Sequence, residues 1–138
     1  SVGDARSLPI DDDWADAAIA GWVFGHITEW YPESWEAELD QAVAEMDRVV
    51  KPGGIEVVVD TLGTAVKEPA APTPGLAEYH RRLETIGFER TVLATDYRFA
   101  SVEESVDLLE WFFGLGEWAT THNDPLVPEF TGWWERHQ

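Results

Sequence analysis

Residues able to do bond chemistry are few in this chain of 138 residues. It has no Cys, which removes a thiolate nucleophile, a thiolate metal site and any disulfide framework. The four histidines, His26, His80, His122 and His137, show no pairing at i+3 or i+4, the spacing a helix-borne metal site uses. Asp11-Asp12-Asp13 lacks the alternating spacing and terminal Glu of a calcium loop and reads as a solvated turn. Gly114-Leu115-Gly116-Glu117-Trp118-Ala119 matches a dinucleotide-binding pattern as text, but it follows a helical run and reads as a helix end. No nucleophile elbow or P-loop is present. One place does invite a ligand. Gly21 interrupts the uncharged run Ala17 to Val23, and a glycine inside a strand allows close approach by another backbone or by a small molecule. His26, Trp30 and Tyr31 follow it. A lone histidine there serves more often as hydrogen-bonded structure than as a base.

The elements that must position these residues alternate between strand and helix. Ala17 to Val23 is short, continuous and apolar, the pattern of a strand covered on both faces. Ser34 can cap a helix whose stripe is Trp35, Leu39, Ala42, Val43, Met46, Val49 and Val50, with Glu33, Glu36 and Glu38 at its positive end. Lys51-Pro52-Gly53-Gly54 stops it before a second strand, Ile55 to Asp60. Thr64 to Thr73 reads as a loop. Thr73-Pro74 starts a helix with Leu76, Tyr79, His80, Leu83 and Ile86 inward, closed by Gly87-Phe88. Thr91 to Phe99 is a third strand. Ser101-Val102-Glu103-Glu104 is a capping box opening a helix that turns Val106, Leu109, Phe112 and Phe113 inward. Glu129 to Arg136 reads as a last, edge strand. The aromatic residues between Trp111 and Trp134 read as core packing in preference to a pocket wall. This alternation specifies an α/β sheet in a single domain over residues 1–138, with helices on both faces.

Composition narrows the partners. The formal net charge is −18, from 27 acidic against 9 basic residues, which opposes binding to nucleic acid or anionic lipid. Only Lys51 and Lys67 among the basic residues are lysines, a bias compatible with a salt-rich habitat. No apolar run reaches a membrane-spanning length and no signal peptide is evident. With no Cys, a cytoplasmic location is expected, and a small molecule is the expected substrate.

Asp4-Ala5-x-x-Leu8-Pro9, then Asp16 before the apolar strand, then Arg48-Val49-Val50-Lys51-Pro52-Gly53-Gly54 before the next, resemble the middle of a class I S-adenosylmethionine (SAM) dependent methyltransferase. The resemblance implies a partial Rossmann-like, three-layer α/β/α sheet built from the family's strands 4, 5, 7 and 6, the last strand antiparallel. It implies SAM as cofactor. Asp4 and Ala5 would meet the adenine, the carboxylate accepting from the exocyclic amine while the small neighbour leaves room for the ring. Ala20, Gly21 and Trp22 would meet the methionine end through main-chain carbonyls. His26, Trp30 and Tyr31 would line the substrate side, and no catalytic residue carries over. The family's glycine-rich turn has no counterpart here, so the chain is expected to be the C-terminal half of the fold and inactive by itself. A non-catalytic binding module and a self-associating domain remain as alternative readings. Ala17 to Val23 holds no Lys, Pro or inward charge, the usual protections of an open edge. A second copy or a complementing N-terminal half is therefore expected to pair with it.

Overall fold

The computed structural model describes residues 3–138. Its elements are β1 (Ala15–Gly21), a 3-10 turn (Phe24–His26), α1 (Ile27–Trp30), α2 (Trp35–Val49), β2 (Val50–Thr64), α3 (Pro74–Thr85), β3 (Glu89–Ala94), β4 (Tyr97–Arg98), α4 (Val102–Phe113), α5 (Gly116–His122), β5 (Leu126–Val127) and β6 (Glu129–His137). The main sheet has the order β1-β2-β6-β3, and β4 pairs with β5 in a separate ribbon. β1 and β2 run parallel, while β6 is antiparallel to both β2 and β3. This is the implied Rossmann-like order, family strands 4, 5, 7 and 6.

Local chemistry explains the helices. Leu39, Ala42, Val43, Met46 and Val49 form the buried stripe of α2. The Thr73 hydroxyl accepts from the Leu76 N–H at 3.2 Å and caps α3, with Pro74 at its first position. At its end Gly87 takes φ +101° and the Phe88 N–H reaches the Leu83 carbonyl, which lets Phe88 tuck into the core. The Ser101 half of the capping box forms as read, its Oγ accepting from the Glu104 N–H, whereas the Glu104 carboxylate accepts from the Ala100 N–H, one residue before the cap.

The main core joins α2 and α3 to one face of the sheet, where Ala20, Val58, Leu62 and Trp134 meet Leu39, Val43, Met46, Tyr79 and Leu83. A smaller cluster, Leu109, Ala119 and Val127, holds α4, α5 and β5 together.

Four expectations need correction. β1 is covered on its core face only: Ala20 is buried, but Ile19, on the opposite face, is 67% exposed. Glu129 to Arg136 is not an edge strand, because β6 lies between β2 and β3 and bonds to both. The run Thr91 to Phe99 divides, since Thr95 and Asp96 bond the backbone of Glu129 and the chain then crosses to pair with β5. Phe112 and Phe113 do not point inward; both are exposed beside an exposed Trp111, and Leu109 alone of the four anchors α4 fully.

One close approach ties the sheet to its core. The Trp134 indole lies back over Gly132, two residues earlier on the same face, so a Cβ at Gly132 would overlap the ring. Gly132→Ala should therefore lower stability by about 1–3 kcal/mol, the usual cost of overpacking. Chemical denaturation measures this, and an unchanged midpoint would mean that the ring swings clear without cost.

Candidate functional site

The carboxyl ends of β1 and β2 open onto a cleft of about 780 Å³ lined by Trp22, Thr61, Gly63, Thr64, Val66, Ala70, Ala71, Pro72, Leu76, Tyr97, Phe113, Leu115 and Glu129. That is where ligands sit in an open α/β sheet. Strand register assembles it. Gly21 pairs with Val59, Thr61 with Thr131 and Thr64 with Glu129, so the ends of three strands arrive at one rim. Two of the non-glycine residues with left-handed backbone sit there: Trp22 (φ +51°) directly after β1, and Ala65 (φ +59°) directly after β2. Such backbone is sparsely populated and gathers at functional sites. The Trp22 N–H donates to the Val59 carbonyl at 2.8 Å, which holds the β1 exit against β2.

Two buried carboxyl groups stand at this end without a cation. Asp60 Oδ1 accepts from the Thr61 N–H, while Oδ2 and the Tyr79 hydroxyl are both buried beside each other and the Gly25 N–H without a hydrogen bond of good geometry. Burial raises the Asp60 pKa, offset in part by the Thr61 N–H, the nearby His26 and the Gly25 N–H. Burial and the neighbouring Asp60 charge push Tyr79 up as well. Glu129 is 4% exposed; Oε2 has no partner and Oε1 has only a 3.5 Å contact to the Thr61 hydroxyl. Burial raises its pKa; Thr64 and Thr61 oppose the shift and the Asp96 charge adds to it. Tyr97 is raised by burial and by Glu129.

The sequence-derived site residues divide into three places. Ala20, Gly21 and Trp22 lie together at the end of β1, with Ala20 buried and Trp22 exposed. A Cβ built on Gly21 meets nothing within 4 Å, so packing among the described residues does not demand glycine there. His26 and Trp30 stack with ring centroids 5.3 Å apart and are exposed; neither lines the cleft. Asp4 sits in a tight turn bridged to Ser7, its carboxylate gripped by Arg6 at 2.9 and 2.6 Å, which lowers its pKa to about 2. Arg6 also bonds Glu38 and lies over the Tyr31 ring, so Asp4, Arg6, Glu38 and Tyr31 form one cluster. Ala5 packs against the main core. Sequence reading missed Asp60, Tyr97 and Glu129. Each lay inside or beside a strand, where a lone polar residue carries no spacing signal. Phe113 does serve as cleft wall, contrary to the core-packing expectation, whereas Trp134 is core.

Residues 1–58 match the family model described as Methyltransferase domain. That span runs from the Asp4 turn through β1 and α2 into β2. Among solved structures, the [4+2]-cyclase SpnF is 22% identical, with 99% of this chain and 55% of that one aligned and a TM-score of 0.51. The YcgJ protein of Bacillus subtilis is 13% identical over 99% of this chain and 69% of its own (TM-score 0.53). A proposed type II methyltransferase from Anaeromyxobacter dehalogenans is 17% identical with the same coverage (TM-score 0.51). This is a methyltransferase-type fold. The resemblance to class I methyltransferases is borne out in the fold and, over residues 1–58, by the methyltransferase family model. No curated protein sequence matches the chain. The chain spans little more than half the length of the cyclase and about two thirds of the other two. No helix among the described residues is long and apolar enough to cross a membrane.

The burial of Asp60 makes a pH prediction. Its folded-state pKa lies above the ordinary 3.8, so folding takes up a proton between the two values. The stability this group contributes is complete below the ordinary value and is lost as pH rises through the raised one. Asn cannot ionise and keeps the acceptor for the Thr61 N–H. The stability of Asp60→Asn relative to wild type should therefore climb as pH rises from about 3.5 to about 7. Melting temperatures across that range test it; parallel profiles for the two proteins would show that Asp60 ionises without cost.

Proposed function

We propose that this chain is the acceptor-side portion of a SAM-dependent methyltransferase acting on a small molecule. In such a reaction the sulfonium S–CH₃ bond breaks, a new bond forms from that methyl carbon to the acceptor, S-adenosylhomocysteine leaves, and the acceptor's proton passes to solvent. The chemistry needs in-line positioning above all, and a base only when the acceptor is protonated. The observation that carries the reading is the rim at the end of β1. Gly21 has open space where a side chain would stand, and Trp22 is held in a left-handed turn next to it. A backbone so presented suits close contact with the methionine end of SAM. Asp4 is paired with Arg6, yet a carboxylate has about four lone-pair sites. An adenine amine would share it with Arg6.

The family's glycine-rich turn has no counterpart in these 138 residues. Calorimetric titration with S-adenosylhomocysteine should thus give little heat with this chain alone. Binding should appear when a segment carrying a strand and a glycine-rich turn is supplied in the same polypeptide or as a second chain. In that assembly Asp4→Ala should weaken binding by about 1–3 kcal/mol, the scale of a hydrogen bond to a charged group. Gly21→Val should abolish binding while leaving the melting temperature unchanged, because no neighbour meets its Cβ. Micromolar affinity in the isolated chain, or full affinity in Gly21→Val, would place the cofactor elsewhere.

The same reading assigns a partner to β1. Among the described residues the strand pairs only with β2, so its outer row of backbone donors and acceptors is open. A further strand, from a second copy or from the complementing segment, fits that edge. Hydrogen exchange on the assembled protein should find the outward amides of β1 protected; rapid exchange there, with a monomeric mass by light scattering, would refute the pairing.

A further inference from the structure

We propose that the cleft binds a small organic cation, an ammonium carried on an apolar or aromatic body, with the ammonium received by the Glu129 carboxylate. Glu129 is the one charged group in a mostly apolar chamber whose walls include Val66, Pro72, Leu76 and Leu115, with Thr61, Thr64 and Tyr97 as its other polar side chains. Its backbone is already committed: the N–H donates to Asp96 Oδ1 at 3.2 Å and the carbonyl accepts from the Thr95 N–H at 2.9 Å. The side chain is therefore not needed to set the start of β6. It is nevertheless buried, with Oε2 unpaired. An unsatisfied buried carboxyl is costly, and a ligand bearing N–H donors relieves that cost directly.

Charge selects the sign of the ligand. No lining residue of the cleft is basic, so nothing in it would hold an anion. Asp96 adds a second acidic group beside Glu129, and the whole chain is strongly acidic. Trp22, Tyr97 and Phe113 stand around the cleft with exposed rings, and aromatic faces attract cations. A volume near 780 Å³ lies within the range that accepts an organic molecule instead of a bare ammonium ion. Among the described residues no three His, Cys, Asp or Glu side chains come together as a metal site would need.

Binding of this cation does not depend on SAM; only its role as methyl acceptor rests on the function proposed above. The experiment titrates 2-(1-naphthyl)ethylamine, and separately its neutral isostere 2-(1-naphthyl)ethanol, into the full 138-residue chain without cofactor. Calorimetry gives the affinities and amide NMR shifts locate the site. The amine should bind at least about tenfold more tightly than the alcohol, the scale of one charge-assisted hydrogen bond, with shifts at Thr61, Thr64, Tyr97 and Glu129. Glu129→Gln should remove that preference while leaving alcohol affinity intact. Ala71→Trp, which fills the cleft and leaves Glu129 in place, should exclude both ligands, and it keeps the proposal open to test if the Gln variant fails to fold. Equal affinity for amine and alcohol, an unchanged preference in Glu129→Gln, shifts that map outside the cleft, or no amine binding at about 5 mM would each overturn the assignment. A null result here with intact S-adenosylhomocysteine binding in the assembled protein would reject the cation and leave the methyltransferase reading standing.

Discussion

The register of β2 against its two neighbours is the constraint on which the site depends. β2 pairs in parallel with β1 and antiparallel with β6, and those two ladders bring Gly21, Thr61, Thr64 and Glu129 to one end of the sheet. A slip by one residue would reverse the faces of β2. Val58 would leave the core and Asp60 would lose its place beside Gly25 and Tyr79. Burial resists such a slip, because Val58 of β2 and Trp134 of β6 are both fully buried in the core.

Buried carboxyls are treated differently at the two ends of the sheet. Near the start of β2, Glu56 is fully buried but meets Arg136 at 2.6 and 3.2 Å, with Arg136 also bound to Asp47 and to the Ile86 carbonyl. That arrangement is a closed network, as a structural buried charge requires. At the opposite end neither Asp60 nor Glu129 has a basic hydrogen-bond partner, Asp60 having only the His26 ring nearby; burial raises the pKa of all three carboxyls, Glu56 included. Uncompensated polarity at the strand ends where open α/β sheets take ligands is the place to seek a functional site, since stability alone would favour its removal. Three exposed aromatic residues, Trp22, Tyr97 and Phe113, stand at the cleft, while Trp14, Trp30, Trp111 and Phe112 are exposed away from it.

The fold shared with a [4+2]-cyclase and with a proposed methyltransferase shows why the reaction has to be argued from the site. What those structures share with this chain is the fold. The acidic floor, the apolar walls and the absence of basic side chains are properties of these residues at this rim.

Several local signals were read correctly from sequence where the physics is local, although Ser34 makes no side-chain cap bond and Val50 belongs to β2 and not to the α2 stripe. The Thr73-Pro74 cap, the Ser101–Glu104 box, the Gly87-Phe88 closure and the stripe on α2 each need only a few neighbouring residues to form. The resemblance carried by Asp4-Ala5 and by the Lys51-Pro52-Gly53-Gly54 stop supplied the strand order as well. Tertiary structure alone decided the rest. β6 became an inner strand because β3 pairs on its far side, a partnership between segments with no shared sequence signal. The run after Thr91 divided because Asp96 bonds the Glu129 backbone, a contact made 33 residues away along the chain. Phe112 and Phe113 turned outward because α4 packs on the small cluster with α5 and β5 and not on the main core. Glu129 became the floor of a cleft only when the β2 ladder set it opposite Thr64. Composition and periodicity record which side chains avoid water, and pairing between distant strands decides which of them share a site.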